Sequence, residues 1–291
     1  MTEKIKLITD STVDLSKELI DELDLEVIPL CVSYEGSDVV YQDGVDIHPI
    51  DIVNHVNETG KLPETSAIGP GVYEEVFNKW IDNDYSIIVT GIGSLLSANY
   101  KSIVIAKDSC KDPSKITVID SQNLSSATGL LLLNIRDLLK KGKTREEVKE
   151  ICDNDIVPNI RSSFCIDRTD YMVKGGRCSA MTGFFVKMLT IKPILNVIKG
   201  KLSLGKKPIG SLNNAIKTIY QDMMKEIANV DMNYLMITHC LSDDAEAYIE
   251  DMIRNTCKFK HIYNTYAGCV ISSHCGPGTI GLLYVLKTNK K

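Results

Sequence analysis

Three short polar segments, far apart in the chain, carry residue types that could together hold one small anion. Thr65 and Ser66 offer adjacent hydroxyls, and His274 offers an imidazole that can donate near neutral pH. Ser94 and Ser97 precede a predicted helix, where unpaired backbone N–H groups and the helix dipole favour negative charge. Hydroxyls and amides neutralise a carboxylate less completely than an arginine fork, which suits reversible binding. We therefore predict a carboxylate site built from these segments.

A Gly-Pro-Gly turn follows His274 and leads into a long apolar run. Gly276 lets the backbone approach a ligand closely, so we include it among the candidate carboxylate contacts. Every segment also has a purely structural interpretation, as a turn for the glycines and for Thr65-Ser66, and as a helix N-cap for the two serines. Residue types alone leave both interpretations open.

Length and composition indicate an ordinary globular protein. The chain has 291 residues, 44% of them hydrophobic and 24% charged, which is enough for two average domains or one large one. Its nine cysteines include no C-x-x-C pair, which favours reduced thiols in the cytosol. No signal-peptide pattern opens the chain and no apolar run approaches about eighteen residues, so we expect a cytoplasmic protein without a membrane span.

Metal and nucleotide cofactors are not indicated by the sequence. His239-Cys240 and His274-Cys275 combine metal-ligating types, but the close spacing of a zinc site is missing. Neither G-x-G-x-x-G nor a Walker-A run occurs, so a tightly held dinucleotide or nucleotide is not expected. We predict no metal, no cofactor and no catalytic residues.

The net charge of −5 conceals an asymmetry between the two halves of the chain. Residues 1–160 carry 15 Lys/Arg against 28 Asp/Glu, and residues 161–291 carry 18 against 10. The stretch 171–221 holds nine basic residues and no acidic one. Such a face can attract nucleotide phosphate, nucleic acid or an acidic protein, or can simply be solvated. Nucleic acid is disfavoured because aromatic residues are sparse there and no reader motif accompanies them.

Strands alternate with helices in the first half, which predicts β-α-β units and a parallel sheet. The second half contains a predicted hairpin with its turn at Lys199-Gly200. The sheet of the second half is therefore expected to be mixed or largely antiparallel. The predicted fold is α/β with two domains, a Rossmann-like domain over 1–160 and a second α/β domain over 161–291, with the 26–47 hairpin able to pack across the boundary. The predicted strands are 4–9, 27–32, 39–41, 85–90, 116–120, 164–166, 191–198, 201–206, 234–238, 259–263 and the run after 278. The predicted helices are 16–23, 49–58, 72–80, 97–107, 124–140, 144–155, a short helix that ends in the glycine-containing segment 172–177, 181–189, 212–227 and 243–256.

Six segments resemble, in order and spacing, the motifs of the DegV family, and the resemblance covers nearly the whole chain. They are the Asp-Ser-Thr-Val-Asp-Leu run at 10–15, Thr-Ser at 65–66, Leu-Ser with a following tyrosine at 96–100, Val-Ile-Asp-Ser at 118–121, Tyr-Met-Val-Lys-Gly-Gly-Arg at 171–177 and His-Cys-Gly-Pro-Gly-Thr at 274–279. The resemblance implies two α/β domains with one long-chain fatty acid, such as palmitate, buried between them, and no catalysis by this chain. It also implies that a separate ATP-dependent fatty acid kinase subunit phosphorylates the presented carboxyl group.

Carried over by motif, the implied carboxylate contacts are Thr65, Ser97, His274 and Ser94. The basic stretch then supplies a looser inference, a candidate face for the kinase subunit. This candidate partner face consists of Lys174, Arg177, Lys206 and Lys207. One source of acyl-chain contacts, with plain core packing as the alternative, is the group Met181, Phe184, Phe185, Met188 and Leu189.

The chain departs from the family pattern at three places. The hydroxyl loop continues Ala67-Ile68-Gly69 where the family usually has Thr-Ser-x-Pro-Ser, and Ala98-Asn99 follows Ser97 where Gly-Thr is usual. Ile209 occupies the region in which the family commonly places an arginine. If that arginine engages the kinase, coupling to this chain is in doubt, whereas fatty-acid binding is not.

Two other functions remain open at the level of sequence. A serine hydrolase acting on small esters would use Ser94 or Ser121 with His239 or His274, although no G-x-S-x-G elbow is present. A phospho-ligand or nucleotide-binding module would use the glycine turn at 175–177 and the basic stretch.

Overall fold

The structure, a computed structural model, describes residues 3–176 and 190–287, and these form three sheets and the helices around them. The strands are β1 (Ile5–Asp10), β2 (Leu25–Ile28), β3 (Cys31–Ser33), β4 (Val40–Gln42), β5 (Glu64–Ser66), β6 (Ser86–Val89), β7 (Ile116–Val118), β8 (Ile160–Cys165), β9 (Ile194–Ile198), β10 (Lys201–Leu204), β11 (Val230–Cys240), β12 (His261–Tyr266) and β13 (Thr279–Leu286). The helices are α1 (Lys17–Glu22), α2 (Pro49–Thr59), α3 (Pro70–Asp82), α4 (Asn99–Ser109), α5 (Ser126–Lys140), α6 (Arg145–Ile151), α7 (Thr169–Lys174), α8 (Leu212–Lys225), α9 (Asp243–Thr256) and α10 (Cys269–Cys275).

The first large sheet is parallel, as predicted. Its four strands lie in the order β2-β1-β6-β7, and every neighbouring pair runs in the same direction. All four residues of β6 are buried, which is typical of a strand covered on both faces. The C-terminal ends of the strands therefore share one edge, where Asp10 and the 91–98 loop lie.

The second large sheet is mixed, which confirms the predicted α/β fold class. Its order is β10-β9-β8-β13-β11-β12, with β11 and β12 parallel and the other pairs antiparallel. The β9–β10 hairpin turns at Lys199-Gly200, both at positive φ, as a tight hairpin turn requires. β13 lies in the interior of this sheet, between β8 and β11.

A small antiparallel sheet, β4-β3-β5, differs in part from the sequence prediction. The strand predicted over 39–41 is β4, whereas β3 and β5 are not predicted as separate strands. The prediction of a single strand over 27–32 is wrong, because the chain leaves the parallel sheet after β2 and joins the small sheet at β3. Pro29, which has no N–H to donate, stands between the two strands. The segment predicted as a loop at 63–71 contains β5, which pairs Thr65 with Val32.

Most helices begin and end close to their predicted residues. α9 matches its prediction, and Pro49 occupies the first turn of α2. The helix predicted over 144–155 is α6 continued by a π-helical turn over 152–156. α10 is absent from the prediction, and the helix predicted over 181–189 lies outside the described residues.

One hydrophobic core joins the two large sheets through α5. The run Leu130–Leu133 of this helix is fully buried and packs with Leu7 and Ile88 on one side and with Met236 and Leu283 on the other. Because this core belongs to both sheets, a domain boundary near residue 160 stays a prediction. Among the described helices none is long and apolar enough to cross a membrane.

Candidate functional site

A cavity of about 220 Å³ lies where the C-terminal edge of the parallel sheet meets α10 and the mixed sheet. It is larger than the roughly 150 Å³ engineered apolar cavity that takes up benzene. Among the described residues, its apolar lining consists of Leu30, Ala67, Ile92, Leu96, Ala98, Leu124, Phe164, Met172, Leu202, Val270 and Ile271. Its polar lining consists of Thr65, Ser66, Ser97, His274 and Cys275. All three polar segments singled out in the sequence thus contribute to one cavity.

Thr65 and His274 make direct contact although 209 residues separate them. The Thr65 Oγ1 atom lies 2.9 Å from His274 Nε2. β5 holds the threonine through its pairing with β3, and the histidine stands in the last turn of α10. Both side chains are half-buried, so a carboxylate at the cavity can reach them while its chain lies in the apolar part.

Ser97 and Ser66 complete the polar rim of the cavity. The Ser97 Oγ accepts a hydrogen bond from the Asn99 N–H at 3.1 Å, at the start of α4. Accepting this bond leaves the hydroxyl proton available for a ligand oxygen, so the capping role and the binding role are compatible. Ser66 is exposed at the end of β5.

Two of the predicted contacts lie outside this group. Ser94 is bound to Asp120 twice, through its backbone N–H at 3.0 Å and its hydroxyl at 2.6 Å, and it does not line the cavity. A carboxylate contact by Ser94 stays a prediction that requires its hydroxyl to leave Asp120. Gly276 has φ 74° and ψ 169°, a conformation close to glycine-only, and a Cβ there would lie 2.7 Å from the Tyr171 ring. Gly276 therefore shapes the turn behind His274.

Two buried aspartates, which sequence reasoning did not assign to the site, hold the N-terminus of α10. Asp14 accepts from the Gly268 N–H at 2.8 Å, and Asp43 accepts from the Cys269 N–H at 2.7 Å. Ser11 ties Asp43 to the parallel sheet by donating to it at 2.9 Å. Carboxylates satisfy the otherwise unpaired N–H groups of a helix start, so these bonds fix the helix that carries His274.

Asp14 is fully buried, and its burial raises its pKa well above the usual 3.8. Its second oxygen contacts the Ser125 hydroxyl, which can either donate or accept. A protonated carboxyl group can accept from the Gly268 N–H and donate to the Ser125 hydroxyl. An asparagine side chain can make the same two hydrogen bonds. The residue also has φ 49°, which asparagine adopts readily.

We expect Asp14→Asn to leave stability at neutral pH unchanged or slightly raised. The folded state keeps the Asp14 proton above pH 3.8, where the unfolded chain loses it, so the wild type loses stability as pH rises towards the folded pKa. Urea unfolding from about pH 4 to about pH 8 gives the free energy of unfolding of both proteins. The value for the variant should increase relative to that of the wild type as pH rises. A large loss of stability in the variant at neutral pH would contradict a protonated Asp14.

A different carboxylate, Asp10, organises the loops around the cavity. It is fully buried at the end of β1 and accepts from the Ile92 N–H at 3.0 Å and the Asn99 Nδ2 at 2.8 Å. Its other oxygen accepts from the Thr12 N–H and hydroxyl at 3.0 and 2.5 Å. Burial raises the pKa of Asp10, and these bonds offset part of the rise. Ile92 lines the cavity, so Asp10 supports its wall.

One group among the described residues could hold a metal by composition: His239, Asp243 and Glu246, whose ligand atoms lie within 4.8 Å of one another. The His239 Nδ1 accepts from the Ser242 N–H at 3.0 Å, so the neutral ring carries its proton on Nε2. That nitrogen lies 2.7 Å from Glu246 Oε2. A metal at Nε2 would need the proton on Nδ1, facing another donor, so the geometry favours a histidine–carboxylate contact.

Both serine hydroxyls of the hydrolase alternative donate hydrogen bonds to groups other than a histidine. The Ser121 hydroxyl is fully buried and donates to the Gly91 carbonyl at 2.7 Å, and Ser94 is held by Asp120. Burial raises the pKa of the Cys240 thiol to about 11 and that of Cys275 further, so neither is a ready thiolate.

The candidate partner face is only partly described. Lys174 is exposed and donates to the Gly60 carbonyl at 3.0 Å, and Lys206 pairs with Asp222 at 2.5 Å. Lys207 is exposed beside it, and Arg177 lies outside the described residues. The candidate tunnel residues between 181 and 189 also lie outside them.

Comparison with known proteins gives a consistent picture. A family model described as "Uncharacterised protein, DegV family" matches residues 4–287. A DegV domain-containing protein of Clostridium acetobutylicum is 32% identical over 286 residues, which cover 98% of this chain and 99% of that protein.

Two solved structures from Thermotoga maritima share the fold over almost the full length. One is a DegV lipid binding protein with a TM-score of 0.86 and 26% identity, covering 99% of this chain and 100% of that one. The other is a protein described as revealing a fatty acid binding function, with a TM-score of 0.82 and 26% identity, covering 98% and 100%.

Proposed function

This chain belongs to the DegV family, and we propose that it binds one long-chain fatty acid in the 220 Å³ cavity, with the carboxylate at Thr65, Ser97 and His274. The observation that carries the proposal is the division of the cavity lining into an apolar body and a polar rim. Ser66 belongs to this rim, and the Gly276 turn follows His274 in the chain. The structural relatives described as lipid-binding and fatty-acid-binding agree with it.

The energetics of such a ligand suit the cavity. Each buried methylene contributes about 0.8 kcal/mol, so a long chain supplies most of the affinity without strong polar contacts. The carboxylate then needs only enough hydrogen bonds to replace its lost hydration, and the hydroxyls and the imidazole provide them. Affinity should therefore follow chain length, and orientation should follow the polar rim.

We further propose that the bound carboxyl group is presented to a separate ATP-dependent kinase subunit, with no reaction assigned to this chain itself. The polar rim is half-buried rather than sealed, which suits access by a partner. Lys174, Arg177, Lys206 and Lys207 are the proposed contacts with that subunit. Ile209, which is 68% exposed, gives this face an apolar residue where the family commonly has an arginine.

Mass spectrometry of lipid extracted from protein purified without added fatty acid tests the proposal. We expect about one equivalent of a long-chain fatty acid per chain, because a mostly apolar cavity of this volume retains a lipid with slow release. Absence of lipid, with no rise in melting temperature on adding fatty acids, would contradict the proposal. Stabilisation by ATP alone would then favour the phospho-ligand alternative.

A further inference from the structure

A second, smaller chamber continues inward from the fatty-acid cavity. It has a volume of about 30 Å³, and four residues line both spaces. These shared residues are Leu124, Phe164, Ile271 and Cys275. The inner chamber is bounded further by Ser125, the N-cap residue of α5, and by residues of β8, β11 and β13. Its lining includes none of the rim residues Thr65, Ser66, Ser97 and His274.

The inner chamber is unexpectedly rich in hydroxyl groups for the end of a hydrocarbon tunnel. Four of the hydroxyls are already engaged within the protein. Ser125 contacts Asp14, Ser163 donates to Asn196 at 2.6 Å, Thr238 bonds Thr265 at 2.9 Å, and Thr279 donates to the Cys275 carbonyl at 2.8 Å. The chamber's histidine, His239, is held by Ser242 and Glu246.

Ser162 is the exception among these hydroxyls. It is 3% exposed, and its Oγ has no hydrogen-bond partner within the part of the chain that the structure describes. Buried polar atoms are almost always hydrogen-bonded, and leaving one without a partner is unfavourable. The hydroxyls of Thr9, Thr90, Thr128 and Tyr171 also lack a partner among the described residues, but they line neither chamber. Among these hydroxyls, Ser162 alone combines a missing hydrogen bond with a place in the chamber next to the ligand cavity.

The position of Ser162 defines which part of a ligand it can meet. It stands two residues before Phe164 on the same face of β8, and Phe164 lines both chambers. Two residues along a strand span about 6.6 Å, so Ser162 lies about that far along β8 from the shared wall. A fatty acid whose carboxylate is at Thr65 and His274 would bring the distal part of its chain here.

We propose that Ser162 is a hydrogen-bonding site for a hydroxyl group on the distal part of the acyl chain, so that the protein prefers hydroxylated fatty acids over plain ones. This inference rests on the proposed fatty-acid function and extends it to a class of ligand. A plain hydrocarbon leaves the Ser162 hydroxyl without a partner, whereas a chain hydroxyl satisfies it. The preference of the site comes from that difference.

Water is the other source of the same chemistry. Ser162 also borders a surface groove of about 750 Å³, whose lining includes Gln122, Lys199 and Arg161. A water entering from this groove could bond Ser162 and would give no preference between ligands. The experiment therefore has to separate a chain hydroxyl from water.

The test compares dissociation constants of delipidated protein for stearate, 2-hydroxystearate, 10-hydroxystearate and 12-hydroxystearate by calorimetry. We expect one of the two distally hydroxylated acids to bind about three- to tenfold more tightly than stearate, the value of one net hydrogen bond. The 2-hydroxy acid, whose hydroxyl stays near the carboxylate, should show no advantage from Ser162.

Ser162→Ala should abolish the preference, and Ser162→Cys, which keeps the size but donates weakly, should reduce it. Ser163→Ala is the matched control, because that neighbouring hydroxyl is committed to Asn196. A preference that persists in Ser162→Ala, or equal binding of all four acids by the wild type, would overturn the inference and leave water at Ser162. Failure of stearate itself to bind would instead contradict the proposed function.

Discussion

The double substitution Thr65→Ala, Ser97→Ala is expected to weaken long-chain fatty-acid binding by roughly 10- to 100-fold. Both hydroxyls line the cavity rim, and each can donate to the carboxylate. Thr65 also contacts His274 Nε2 at 2.9 Å, so its removal loosens the imidazole as well. Hydrogen bonds to charged groups are worth more than neutral ones, which makes the pair the largest polar contribution to ligand affinity that the rim offers.

Titration calorimetry with delipidated variants and a saturated fatty acid measures this loss. Ser94→Ala is the matched control, because that hydroxyl is bound to Asp120 away from the cavity. The fatty alcohol of equal length is a second control, since it lacks the carboxylate and should lose less affinity. Unchanged fatty-acid affinity in the double variant would refute the site assignment.

Asp10→Asn is expected to destabilise the protein by about 2–4 kcal/mol. Each Asp10 oxygen accepts two hydrogen bonds, and each has one donor that cannot reverse its direction, the backbone N–H of Thr12 on one oxygen and that of Ile92 on the other. An asparagine amide must therefore point its own N–H₂ at a donor in a fully buried position. The change keeps the size of the side chain, so the loss reports hydrogen bonding and charge rather than packing.

Urea denaturation at neutral pH gives the free energy of unfolding for this comparison. Asp14→Asn is the appropriate control, because the same chemical change occurs at an equally buried site whose partners suit an amide. Equal stability losses in the two variants would show that burial alone, and not the donor pattern, decides the outcome.

The regular elements of this fold are largely predictable from local sequence. α9 begins at a run of acidic residues that suit a helix N-terminus, and it ends where Lys258 and Phe259 start the approach to the next strand. Pro49 is a strong local signal because its ring fixes φ, and Gly200 is one because glycine readily adopts the positive φ of a tight hairpin turn. The order of the strands in each sheet depends on long-range pairing that such local signals do not contain.

α10, β5 and the separation of β3 from β2 are the clearest misses, and they have a physical reason. The Cys-Val-Ile-Ser-Ser-His-Cys segment is too short to be stable as a helix by itself, and Asp14 and Asp43 hold its start from more than 220 residues away. β3, β4 and β5 have three residues each, too few for a readable alternation. Their stability comes from tertiary contacts.

The candidate site was predictable in its residue types but not in its arrangement. Thr65, Ser97 and His274 were chosen for their chemistry and for the family resemblance, and the structure places them around one cavity. Ser94 was chosen for the same reasons, yet Asp120 holds it elsewhere. Asp14 lies in the 10–15 motif, but the motif does not reveal that this side chain holds the helix of His274. Asp43 lies in none of the six motifs, and an aspartate near a turn is common.

The interior place of β13 has a consequence for how the protein is made. Translation delivers β8 and β11 well before the strand that joins them, so both present open edges until residues 279–286 leave the ribosome. His274 emerges only just ahead of that strand. A nascent chain interrupted before Thr279 therefore has an unclosed sheet that quality-control proteases can engage, and a loosely held imidazole. We therefore expect the proposed ligand to bind only after β13 has been synthesised and has joined the sheet.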